Sequence, residues 1–344
     1  MEDKMSWDSV PWFTEGGAEH SSEIARVLAY AAFSGAQGII GGGDLRVRAL
    51  NTPAPAVQVM PGAAAILNRA PGSTYQAYAA RLPIAEEVPI AGTGAAARSD
   101  LIVARVENPY SYGETWPQPK DKANGPYVFT RVISGVPKST TDVRQVRPGD
   151  SAITLARIDI PPQTSVVTGS MVKSLREMAN PRRRRVVRSL QGVWDESKMD
   201  EVGDIHYPEF EEFPDGANWD LEIPEWASSM TVIATWAQLD QRNEADSYGY
   251  LQVGVGGVEG QPDSTPMLLK SPTTRYNCSF RGGQRYTFVA GGIVNIPAAM
   301  RGNVYPFILQ GSGDPKRKGL LEADGGSAVF LDVEFVEDAH EDEI

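Results

Sequence analysis

"SAVFLDVEFVE", residues 327–337, decides what kind of fold this chain can build. Apolar and polar residues alternate through it, so Val329, Leu331, Val333 and Phe335 share one face of an extended strand while Phe330, Asp332 and Glu334 take the other. The same grammar runs backwards through the second half of the chain. "NVYPFILQG", "QRYTFVAGGIVNIP", "RYNCSFRG", "YGYLQVGVGG", "SMTVIATWAQLD" and "WDLEIPEWA" are strand-like runs separated by Gly, Pro, Asn and Asp turns. Seven or so strands with hardly any helical period predict an antiparallel β-sandwich, jelly-roll-like, over residues 201–338.

The first half is also β-rich, with a helix in front. In "SSEIARVLAYAAFSG", Ile24, Val27, Leu28 and Ala31 follow helical spacing, with Ser21 or Ser22 as cap and Gly35 as terminator. From residue 45 on, "LRVRAL", "AVQVM", "YQAYAARL", "LIVARVE", "YVFTRVI" and "ITLARID" read as short strands. "LIVARVE" and "ITLARID" match each other. Both are apolar on both faces, as in a sheet covered on both sides. Both place an acid two residues after an arginine, and the pairs Arg105 with Glu107 and Arg157 with Asp159 read as structural ion pairs. "TGSMVKSLREMANP" reads as a second short helix, with Met171, Val172 and Leu175 inward. The fold class expected is therefore mainly β: a β-rich N-terminal domain with two short helices, then the sandwich.

Composition excludes several functions. The 344 residues carry a formal net charge of −12 and a single cysteine, Cys278, which rules out an intramolecular disulfide framework and a Cys-based zinc site. No apolar run is long enough to span a bilayer, so no membrane insertion is expected. The glycines at 35, 38 and 41–43 follow a helix and lead into a strand, the wrong context for a dinucleotide loop. No nucleophile elbow, zinc-protease helix or P-loop occurs. No catalytic residue, metal site or cofactor is read, and the protein is expected not to be an enzyme.

Charge is uneven. Residues 1–190 carry a net +5 and residues 191–344 a net −17. At the junction "NPRRRRVVRSL" places Arg182, Arg183, Arg184, Arg185 and Arg188 within seven positions. A nucleic-acid grip would need more basic and aromatic support than the acidic "WDESKMDEVGD" downstream provides. The run reads instead as a structural basic linker, residues 181–200, between a domain at 45–180 (preceded by an arm and helix at 1–44) and the sandwich; 339–344 is an acidic, solvated tail.

Several motifs together resemble minor tail proteins of actinobacteriophages: "VPWFTEGGAEHSSEIARVLAYAAFSGAQGI", "VMPGAAAILNR", "RSDLIVARVENP", "GPYVFTRVI", "LARIDIP" and "MANPRRRRVV". More distantly, their order is similar to adaptor domains of phage baseplate and tail-fibre proteins. The resemblance covers roughly residues 9–190. It implies a virion protein at the tail tip, a homotrimer, a tail-attachment role for residues 45–180, and other tail-tip proteins as partners. It carries over no catalytic residue. In a trimer the arginine run would lie near the axis and need acidic partners, from "WDESKMDE" or an adjoining tail protein.

For the sandwich, aromatics suggest host-surface glycan binding, since Trp and Tyr faces stack on sugar rings. Trp219, Trp226 and Tyr248 are the candidates, with Arg281 and Arg285 for an anionic wall polymer; Trp219 and Trp226 read equally well as surface or core, and Trp236 reads as core. The alternatives are a tail-borne polysaccharide depolymerase, using carboxylates among Asp204, Glu209, Glu211 and Glu212, and a purely structural adaptor. "LDQRNEADSYG", with Asp240, Asn243, Glu244 and Asp246, lacks the spacing and glycine of a calcium loop.

Overall fold

The computed structural model describes residues 19–111, 121–192, 210–242, 245–256, 267–279, 284–313 and 319–339. The chain is mainly β and divides into two units, residues 1–181 with 338–344, and residues 182–337.

The first unit opens with helix α1 (Ser22–Ala32), capped where Ser21 Oγ accepts the Ile24 N–H at 3.2 Å. Its strands are β1 (Gly38–Ile39), β2 (Val47–Ala49), β3 (Ala56–Val59), β4 (Gly62–Leu67), β5 (Ala77–Leu82), β6 (Glu86–Pro89), β7 (Arg98–Val106), β8 (Val128–Val136), β9 (Ala152–Ile160) and β10 (Val172–Ser174). They form antiparallel sheets β1-β4-β5, β2-β3-β6 and β10-β9-β7-β8. β7 and β9 are the matched pair of the sequence, and they are neighbours at the centre of the largest sheet. β7 is buried on both faces: Ile102, Ala104 and Val106 enter one apolar cluster, Leu101 and Val103 another. The expected ion pairs form, Arg105 to Glu107 at 3.2 Å and Arg157 to Asp159 at 2.9 Å.

Two expectations for this unit need correction. α1 has no buried residue; Ile24 and Val27 are half-buried, while Leu28 and Ala31 are exposed. The second helix does not form. Gly169–Met171 is a single 3-10 turn, and Val172–Ser174 pairs with β9, Val172 opposite Ile158. Gly169 and the β-branched Thr168 and Val172 weaken the helix, and an open edge of β9 supplies backbone partners.

The second unit contains β11 (Arg183–Gln191), β12 (Glu211–Glu212), β13 (Asn218–Glu222), β14 (Ser229–Arg242), β15 (Ser247–Gly256), β16 (Met267–Lys270), β17 (Thr274–Cys278), β18 (Arg285–Asn295), β19 (Val304–Gly313), β20 (Leu320–Glu322) and β21 (Ala328–Val336). One sheet runs β11-β21-β14-β18, with β20 on β14; the other runs β12-β19-β15-β16, with β13 on β19 and β17 on β15. All of these pairings are antiparallel. The core between the sheets takes Val329, Leu331, Val333 and Phe335 from β21, as the alternation requires, with Trp236, Leu251, Val253, Phe307 and Leu309. Trp236 is wholly buried, and its indole N–H donates to the Phe213 carbonyl at 2.9 Å.

The expected linker is a strand. β11 pairs with β21 rung by rung from Arg183 opposite Val336 to Gln191 opposite Ala328. Val186 and Leu190 turn to the core while the arginines stay in water. The tail at 339–344 also differs at its start: Ala339 packs on the first unit's core, and residues 340–344 lie outside the described residues.

Candidate functional site

The arginine run finds its acids within the same chain. Arg182 holds Glu337 through two bonds of 2.7 Å, and its guanidinium lies over the Trp226 ring at 5.3 Å. Arg183 meets Glu334 at 3.5 Å, Arg184 meets Glu222 at 3.1 Å, and Arg185 meets Asp332 at 2.8 Å. The Arg185 hydrogen bond holds the Asp332 carboxyl below the usual carboxylate range. Arg188 donates to the Val187 carbonyl. The partners thus come from β13 and β21 and the residue after it, not from "WDESKMDE" (193–209 lie outside the described residues). A run of arginines on an edge strand also discourages pairing with a stray strand.

The glycan candidates are placed apart. Trp219, on β13, and Trp226, in the loop before β14, are half-buried and pack against the core. Tyr248, on β15, makes an edge contact with Tyr250 at 5.9 Å, and the Arg275 guanidinium sits 4.3 Å from its ring centre. Arg285, on β18, is tied to Asp324 at 2.6 Å and to the Gln238 carbonyl at 2.8 Å. That contact, with the Gly326 N–H, draws the Asp324 pKa down to about 2. Arg281 lies outside the described residues, as do Asp204, Glu209, Asn243 and Glu244. Glu212 closes a local turn, accepting from the Gly216 N–H at 2.6 Å and from Asn218. No group of three or more potential metal-ligating side chains occurs among the described residues.

What does converge is apolar. On the outer face of the β11-β21-β14-β18 sheet, Val187, Phe330, Ile233, Val289 and Ile293 are between 42 and 74% exposed. The register places them in adjoining rows: Val187–Asp332–Ile233–Gly291, Ser189–Phe330–Thr235–Val289 and Arg185–Glu334–Thr231–Ile293. Charge is confined to β11 and β21, and the β14–β18 side offers only threonine and apolar side chains in these rows. Four strands at ~4.8 Å and some seven residues at ~3.4 Å give a face of about 20 by 25 Å. That is about 500 Å² in plan, wider than a sugar ring and more than half of the ~800 Å² per partner that is standard for stable protein interfaces. The sequence carries the signal. "TVIATW" and "GGIV" put branched apolar residues on both faces of strands that need only one face for the core.

No protein-family profile matches the chain, and no curated protein matches it. Among solved structures, the VP2 subviral particle of infectious bursal disease virus overlays 87% of this chain and 70% of its own, at 10% identity and a TM-score of 0.25. The Gx strain structure of the same virus overlays 88% and 68%, at 9% identity and a TM-score of 0.26. Identities and TM-scores this low mark a distant likeness between β-rich chains.

Proposed function

We propose that this chain is a non-enzymatic structural protein of a phage virion, mounted at the tail tip by its first unit, with the outer face of its sandwich packed against another tail protein. The observation that carries the reading is where the side chains of the tail-protein-like motifs go. Ala63 of "VMPGAAAILNR" donates its N–H to Asp44 at 3.1 Å, and the same carboxylate accepts from the Gly41 N–H at 2.9 Å. Gly62 of the "PG" pair lies so close that a Cβ would come within 2.5 Å of the Leu45 nitrogen. Arg98 and Asp100 of "RSDL" form a 2.8 Å ion pair, with Asp100 fully buried. Arg157 and Asp159 of "ARID" form another. These motif residues hold a scaffold together. A trimer, which the motif resemblance implies, fits the same reading.

A second reading, host-surface glycan binding, draws on the Tyr248, Tyr250 and Arg275 group, whose rings lie half-buried on the other sheet. One experiment addresses both. A phage encoding this chain, with its own copy silenced, is complemented with the wild-type chain or with an Ile233→Asp, Ile293→Asp double variant. The chain content of purified virions and their adsorption to cells are then measured. The wild-type chain belongs in the particle, and the double variant is depleted from it. Retention of the variant with weakened adsorption moves the face to the host side. Absence of the wild-type chain from virions refutes the proposal.

A further inference from the structure

The first unit holds a cavity of about 360 Å³, within the ~300–1,000 Å³ range of small-molecule sites. Its walls include Arg69, Tyr78, Arg105, Asn108, Ser111 and Asp150. Charges around it do not cancel. Arg105 is paired with Asp150 at 3.1 Å and with Glu107 at 3.2 Å, and Arg131 grips Glu107 with two bonds of 2.7 and 2.8 Å. Arg69 differs in its lack of an acid: its Nε, like Nε and Nη1 of Arg105, is buried without a hydrogen bond. No carboxylate among the described residues lies within ion-pair distance of it. Asp142 feels its field but is bonded to Arg144. Of the charged side chains that line the cavity, Asp150 is paired with Arg105, and Arg69 is the cation without a carboxylate of its own.

The cationic side chain has a fixed root and neighbours with donors to offer. The Arg69 N–H donates to Ser151 Oγ at 2.9 Å, and the Asn68 carboxamide is bonded on both sides of it. The Tyr78 oxygen accepts from the Asn108 amide at 3.2 Å, which leaves its own proton to give away. The Ser111 hydroxyl is a second donor in the wall. Native proteins rarely bury a polar hydrogen without an acceptor, and a guanidinium holds carboxylate or phosphate through two parallel bonds. We propose that this cavity binds a small oxyanion, a carboxylate or phosphate on a molecule of about sugar size, with Arg69 as its anchor.

The full chain is titrated by calorimetry with glucuronate, inorganic phosphate and, as the neutral control, glucose. One saturable site for glucuronate or phosphate, and none for glucose, is expected; which anion binds tells the two sources apart. Arg69→Gln should weaken binding by about tenfold or more, and Arg69→Lys, which keeps charge without the fork, by less. The ligand-free melting temperature of Arg69→Gln should not fall. Should that variant fail to fold, Tyr78→Phe with Ser111→Ala takes its place and should weaken binding several-fold. Absence of anion binding by the wild type, equal binding by the variants, or equal binding of glucose overturns the site.

Discussion

Removing Arg182 should harm the sandwich far more than its exposed position suggests. Its partner, Glu337, is only 3% exposed and receives two bonds of 2.7 Å from the guanidinium. Arg182→Ala removes both guanidinium donors from that buried carboxylate and leaves the residue-182 backbone N–H, at 3.3 Å. Breaking a buried ion pair from one side costs about 3–5 kcal/mol. More than half of the Arg182 side chain is in water, and screening lowers the expected loss to about 2–3 kcal/mol, including the contact with Trp226. Glu337→Gln instead leaves an arginine that water can solvate, at about 1 kcal/mol. The double variant should therefore be no less stable than Arg182→Ala alone, and a cycle of the three should show coupling of over 1 kcal/mol. Urea denaturation followed by tryptophan fluorescence reads this unit through Trp219, Trp226 and Trp236. Losses that add to within about 0.5 kcal/mol would refute the argument.

Asp324, with its pKa near 2 in the fold against ~3.9 unfolded, adds stability above about pH 4 that is lost as pH falls through 2. Discounted for the partly exposed Arg285, the contribution is about 1–2 kcal/mol. Asp324→Asn should lose that much at pH 7, with the difference closing between pH 4 and pH 2 in denaturant midpoints; a constant difference would count against the ion pair. Trp236→Phe should cost about 2–3 kcal/mol by leaving a small void and the Phe213 carbonyl unbonded, and a loss below 1 kcal/mol in urea would show that the indole bond is not structural.

Strands with one covered face were plain in the sequence, because burial writes itself as alternation; β13, β14, β15, β17, β18, β19 and β21 all fall on runs picked out that way. β7 and β9 were equally legible as apolar on both sides. β11 was not. Its four arginines mask a period-2 pattern that survives only in Val186 and Leu190, and the acids of Arg183 and Arg185 lie some 150 residues away in β21, with that of Arg184 on β13, beyond the reach of local reading. β10 was lost to a helical spacing of Met171, Val172 and Leu175 that short strands also satisfy. Of the interaction surfaces, aromatic residues drew the eye, whereas the exposed face is made of Val, Ile and Phe whose orientation only strand register reveals. The Arg69 cavity depends on Arg105 and Asp150, remote from it in sequence, and no motif spells it out.

The chain enters the sandwich at Arg182 and leaves it at Glu337, the first and last residues of that unit, and these two clasp each other. Antiparallel partners stand only ~5 Å apart, so the whole 156-residue sandwich is threaded into the first unit like a bead whose two holes touch. A gene exchange with breakpoints just outside this clasp would swap the whole sandwich while the flanking ends of the first unit stay neighbours. What any such replacement must preserve is a pair of neighbouring ends.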